Sequence, residues 1–113
     1  MKRLALTVNL KEDPEVIEAY KAYHANAWPE VVDALQAVGI DQMKIWLLGR
    51  RLFMLAEVHD DFDPEVDFPR YLTLDERCKE WEDLMTTFQE SVPEAAEGEK
   101  WAMMEEVFSL VAD

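Results

Sequence analysis

Met43-Lys44-Ile45-Trp46-Leu47-Leu48-Gly49-Arg50-Arg51-Leu52-Phe53-Met54-Leu55-Ala56-Glu57-Val58 is the stretch whose reading decides the fold. Met43, Ile45 and Leu47 alternate with Lys44, Trp46 and Leu48. Successive strand side chains point to opposite faces, so this alternation predicts a half-buried strand. Gly49-Arg50 makes a turn, and the apolar run Leu52 to Val58 follows. Two such runs across a short glycine-containing loop read as a β-hairpin.

Working back from the hairpin, Val31, Val32, Leu35 and Val38 form a helical stretch opened by Pro29-Glu30 and stopped by Gly39. Pro29 has no N–H to donate and restricts the residue before it, so it interrupts an earlier helix near Trp28. That earlier helix starts at Asp13-Pro14-Glu15, a capping residue, a proline suited to the first position and an acid at the positive dipole end. Val16, Tyr20, Tyr23 and Ala27 mark its face. Residues 3 to 10 alternate weakly, with Leu4, Leu6, Val8 and Leu10 on one side of a strand.

Working forward, Asp60 to Pro69 reads as an acidic loop, and Asp75 to Gln89 as a helix with Leu74, Cys78, Trp81, Leu84, Met85 and Phe88 on its apolar side. Pro93 and Gly98 break the chain, and Trp101 to Leu110 reads as a last strand. The order β–α(α)–β–β–α–β is the ferredoxin-like split pattern of the α+β class, a four-stranded antiparallel sheet with helices on one face. Its uncovered apolar face is expected to find a partner, so a homodimer follows.

At 113 residues the chain is one domain's worth, and no repeat or linker divides it, so 1–113 is expected to form a single domain. Half the residues are hydrophobic, enough for one core. The net charge of −14 repels phosphate backbones and anionic lipid, which argues against nucleic-acid or membrane partners. The apolar run starting at Leu4 ends at Leu10, too short for a signal-peptide core or a membrane span. The one cysteine, Cys78, excludes an intramolecular disulfide and fits a cytoplasmic location.

The candidates for chemistry are few. His24 has no second metal ligand at helical spacing, and the acidic run Asp60, Asp61, Asp63, Glu65 and Asp67 lacks the glycine and terminal Glu of a calcium loop, so no metal is expected. His59, at the hairpin edge, is expected to be solvated. Tyr20, His24 and Trp28 recur every four residues and would share one helix face if the helix persisted. A hydroxyl, an imidazole and an indole suit a neutral polar ligand, and imidazole can give or take a proton near neutrality. The same spacing also fits simple packing, with Tyr20 and Trp28 in the core and His24 satisfied at a helix end. Trp28, Trp46, Trp81 and Trp101 lie on different elements that this fold could gather around one sheet face, for a ligand or for a dimer interface. Glu105 and Glu106 fall on opposite faces of the expected last strand, so either one turns inward or both are solvated at an edge.

At these residues the chain resembles a known family. Tyr20-Lys21-Ala22-Tyr23-His24-Ala25-Asn26-Ala27-Trp28-Pro29-Glu30 is similar to the first-helix motif of the L-rhamnose mutarotases. Ile45-Trp46-Leu47 through Leu52-Phe53 resembles that family's second and third strands, Cys78-Lys79-Glu80-Trp81 its second-helix motif, and Glu106-Val107-Phe108 its final strand. The resemblance implies a dimeric α+β barrel and a cofactor-free enzyme that interconverts the α and β anomers of L-rhamnose or a related 6-deoxy sugar. It implies His24 as the acid–base residue with Tyr20 beside it, and Trp81 holding the sugar. Trp28, Trp46 and Glu106 are the further candidates for substrate contact. The chain departs from the pattern at Glu82, where family members carry a second Trp, and in its longer acidic loop. Trp46 or Trp101 would then supply the missing indole. His24 is expected near a helix C-terminus, where the dipole favours the charged imidazole. The competing expectations are a sugar-binding module on the same barrel, or a cofactor-free oxygenase, since one fold serves many functions.

Overall fold

The hairpin forms where the alternation puts it. In the computed structural model, which describes residues 1–111, strands β2 (Ile40–Leu48) and β3 (Arg51–Val58) pair antiparallel across Gly49-Arg50. Gly49 has a positive φ of 62°, which a side chain disfavours. Strand β1 (Lys2–Leu10) pairs antiparallel with β3 along its length, Lys2 opposite Val58 through Asn9 opposite Arg51. The remaining elements are helices α1 (Pro14–Ala25), α2 (Pro29–Ala37), α3 (Pro64–Tyr71) and α4 (Glu76–Phe88) and the short strands β4 (Gln89–Glu90) and β5 (Ala102–Met103). The sheet order is β2-β3-β1-β4, with β5 also on β1. This is the α+β, ferredoxin-like arrangement.

The register separates the two faces. Leu6, Val8, Leu10, Leu52, Met54, Ala56 and Val58 all point one way and are buried, under Tyr20, Val31, Ala34, Cys78, Trp81 and Met85 from the helices. On the other face Trp46 lies opposite Phe53, and Lys44 opposite Leu55. There Leu48 is 85% exposed and Trp46 49%. Thr7 and Asn9 also point this way but are buried, Thr7 donating to the Leu52 carbonyl at 2.7 Å and Asn9 accepting from Arg51 Nε at 2.8 Å. The face that the helices leave open is therefore apolar at β2 and β3 and polar along β1.

Several expectations fail. The segment read as an acidic loop contains α3. Asp63 caps it by accepting from the Glu65 N–H at 3.0 Å, as Asp13 caps α1 by accepting from Glu15 at 2.9 Å. The same tetrapeptide, Asp-Pro-Glu-Val, opens both helices. Phe62, just before the cap, is buried and anchors the segment. The last strand is far shorter than Trp101–Leu110. Only Ala102–Met103 pairs with β1, and after the Met104 N–H reaches the Ala5 carbonyl at 2.8 Å the chain leaves the sheet. Met103-Met104-Glu105-Glu106-Val107-Phe108 changes character in pairs, so no single strand face could be apolar. Val107, Phe108 and Leu110 are consequently exposed. Leu74, assigned above to the apolar side of α4, precedes the Asp75 cap and is exposed.

Candidate active site

Helix α1 carries the first two groups. Its Asp13 cap and Pro14 start it on the register that turns Tyr20 into the core, 4% exposed. His24 follows one turn later, partly buried, and the two rings stack at 4.1 Å between centroids. The helix ends at Ala25, ahead of Pro29, so Trp28 leaves the α1 face and instead precedes the first residue of α2. Trp28 still reaches the group, because Trp81 on α4 bridges it. Trp81 meets Trp28 at 5.1 Å and His24 at 5.1 Å, both edge to face. Tyr23 packs on Trp81 and Phe88, and the Arg77 guanidinium covers the Trp28 ring at 3.6 Å.

His24 Nδ1 lies 2.9 Å from the Tyr20 carbonyl oxygen. A carbonyl only accepts, so Nδ1 carries the proton, and in the neutral ring Nε2 is the free acceptor. Burial lowers the His24 pKa from its ordinary 6.5, and the bond to the Tyr20 carbonyl only partly opposes this. The expectation of a charge favoured by the helix end thus runs against the direction of the shift, because burial disfavours the charged ring. At neutral pH this histidine is a base. Tyr20 behaves oppositely. Burial, helped by the negative charge of Glu82 and opposed by a hydrogen bond from Gln89, holds its hydroxyl far above the usual phenol range, so it remains a proton donor.

Tyr20 and His24, with Lys21 and Ala25, form one wall of an open cleft of about 300 Å³, within the usual size of small-molecule sites. Ile45, Trp46, Leu47 and Leu52 of the hairpin form the other. The mostly apolar lining with a few polar groups suits a small, largely neutral ligand. Trp46 stacks on Phe53 at 5.5 Å. The four tryptophans are thus not gathered on one sheet face: Trp81 on α4 packs on Trp28 at the start of α2, Trp101 is partly buried against the core, and Trp46 stands opposite Phe53 on the face away from the helices. Glu106 is exposed beyond the end of β5 and is not brought to the cleft, because the strand that was to carry it inward stops at Met103. His59 is half-exposed and pairs with Asp41 at 2.9 Å. Among the described residues no three His, Cys, Asp or Glu side chains converge as a metal site would require, and no helix is long and apolar enough to cross a membrane.

Sequence reasoning missed Gln89, Tyr71 and Arg77. Gln89 was discoverable: it falls eleven residues after the buried Cys78, at the C-terminal cap of α4 where β4 begins. Tyr71 lies in the segment misread as loop, and nothing local to Arg77 signals its indole.

The chain is similar to several known proteins. The L-rhamnose mutarotase family profile matches residues 3–110. A UPF0734 protein of Dictyostelium discoideum is 46% identical over 112 residues, covering 96% of this chain and 90% of that one. An L-fucose mutarotase of Xanthomonas campestris pv. campestris is 39% identical over 112 residues, covering 97% and 89%. Among solved structures, an L-rhamnose mutarotase from Formosa agariphila superposes with a TM-score of 0.70 at 25% identity, covering 98% of this chain and all of its own. A dimeric ferredoxin-like protein from an uncultured marine organism shares the fold alone, with a TM-score of 0.56, 14% identity and coverage of 97% and 98%. With the profile matched along nearly its whole length, the chain belongs to the L-rhamnose mutarotase family and is an enzyme of sugar anomer interconversion.

Proposed function

We propose that the protein interconverts the α and β anomers of a 6-deoxy sugar, L-fucose ahead of L-rhamnose, with His24 moving the proton. The observation that carries this is the His24 Nδ1 bond to the Tyr20 carbonyl, which leaves Nε2 as a neutral acceptor on a cleft residue. The order of sugars follows the higher identity to the L-fucose enzyme, 39% against 25%.

Mutarotation breaks the bond between the anomeric carbon and the ring oxygen, turns the carbonyl and closes the ring on its other face. His24 Nε2 takes the proton of the anomeric hydroxyl as that bond opens, and the imidazolium returns it to the ring oxygen. Tyr20, kept protonated by burial, hydrogen-bonds the oxygen on which charge gathers. The indole of Trp46, which lines the cleft, offers a flat wall for the C–H face of the sugar, while Trp81, buried behind His24 and packed on Trp28, holds the imidazole in place. No step calls on a cofactor. Glu106 has no part in this assignment within one subunit.

The working molecule is a homodimer closed over the open sheet face, supported by exposed Leu48 and Trp46 and by the dimeric ferredoxin-like relative. Residues 1–113 act as a single domain, in the cytoplasm, where the lone buried thiol of Cys78 would stay reduced. Exchange NMR of the anomeric protons of L-fucose and L-rhamnose tests the activity. Exchange faster than in buffer is expected for one or both. Buffer-rate exchange of both, at any protein concentration, contradicts it.

A further inference from the structure

His24 and Tyr20 are committed to the two reacting oxygens, which leaves the sugar hydroxyls on C2, C3 and C4 to the rest of the cleft. The side chains there are mostly carbon: Ala25, Ile45, Leu47 and Leu52 all line it. A hydroxyl brought from water against such a lining needs a partner, because nothing else replaces the hydrogen bonds it has lost. Among the described residues of the lining, Trp46 offers one N–H beside its ring, and Lys21 offers an ammonium. Lys21 follows Tyr20 directly and stands three residues before His24, in the row Glu18, Lys21, His24 along α1. Its ammonium lies 3.4 Å from Glu18 Oε1, and the two side chains are 56% and 73% exposed.

An ion pair this open contributes little to stability and is readily given up. The lysine stem can lie along the apolar wall while its charged end reaches a ligand. A hydrogen bond from an ammonium to a hydroxyl oxygen is charge-assisted, and in a partly closed cleft it is stronger than the exposed bridge it replaces. We propose that Lys21 anchors the substrate: its ammonium leaves Glu18 and donates to one of the hydroxyls on C2, C3 or C4, holding the ring in register with His24. The two residues then act by opposite chemistry, since the neutral His24 Nε2 accepts and the ammonium only donates. A site that hydrogen-bonds one hydroxyl rejects the analogue that lacks it far more strongly than an apolar pocket rejects a change of size, so Lys21 also helps to set which 6-deoxy sugar is preferred.

This inference rests on the mutarotase reading, and the test separates the two. Anomer exchange is measured for L-fucose and its 2-, 3- and 4-deoxy analogues, with the unaltered protein, Lys21→Met, Lys21→Arg and Glu18→Gln. Lys21→Met keeps the apolar stem and removes the donors; it is expected to raise the KM for L-fucose about 10-fold with kcat nearly unchanged. Lys21→Arg restores donors and is expected to recover most of that loss. Glu18→Gln breaks the ion pair but leaves the ammonium, so its KM is expected to be no higher than that of the unaltered protein. One deoxy analogue should already have a raised KM with the unaltered protein and show no further rise in Lys21→Met, because the hydroxyl and its partner act as a pair. An unchanged KM in Lys21→Met, a rise of equal size for L-fucose and all three analogues, or the same rise in Glu18→Gln overturns the anchor and leaves the mutarotase reading intact. Absence of exchange on every sugar by the unaltered protein overturns both.

Discussion

The two faces of β3 differ by one residue in register and by everything in use. Leu52, Met54, Ala56 and Val58 are at most 7% exposed and lie beneath the helices. Phe53, Leu55 and Glu57, interleaved with them, are only partly covered, and their neighbours Lys44, Trp46 and Leu48 on β2 are exposed. The first face is closed within one subunit and supports Tyr20, His24 and Trp81. The second has apolar material and no helix of its own. A half-buried strand thus serves two ends at once: its closed side packs beneath the helices, and its open side is the surface on which we propose that a second copy sits.

This contrast can be broken from either side. The largest effect is expected on the closed face. Leu52→Ala removes a fully buried side chain and should cost about 2–5 kcal/mol in denaturant unfolding, independent of protein concentration. On the open face, Leu55→Asp places a charge where the second copy would sit. It should leave the far-ultraviolet circular dichroism unchanged and convert a dimer into a monomer in sedimentation equilibrium; a dimer that persists would remove the open face from the interface. A smaller effect concerns His24, whose folded pKa lies below 6.5. The folded state then binds fewer protons than the unfolded state between these two values. The stability that the neutral ring contributes is present above pH 6.5 and is lost as pH falls through the folded pKa. His24→Asn should flatten that part of the stability profile, and an unchanged profile would show that burial does not control the ring. The smallest effect is expected from Arg77→Ala, which uncovers the Trp28 ring and should cost about 0.5–1 kcal/mol.

What could be read in advance followed from how local each signal is. The hairpin and β1 were legible because alternation is a property of adjacent residues, and α1 because Asp13-Pro14-Glu15 announces itself. The same three residue types at 63–65 were overlooked because the surrounding acids and Pro69 suggested a solvated loop, although Pro69 is accommodated inside α3. The end of β5 was overrun because valine and phenylalanine suggest a strand even where their order cannot give one apolar face. Tyr20 and His24 were visible as a four-residue step. The meeting of Arg77 with Trp28 was not, since the two come from different elements and meet only through packing. His24's protonation was misjudged because the helix end can be read in sequence and the burial cannot.

The most direct test of the site is anomeric-proton exchange of L-fucose and L-rhamnose by the unaltered protein and by His24→Ala, each checked for intact fold by circular dichroism. Acceleration by the unaltered protein and loss of at least about 100-fold in the folded variant, the range for a positioned acid–base group, is the expected result. Acceleration retained in folded His24→Ala would contradict the assignment of proton transfer to this histidine.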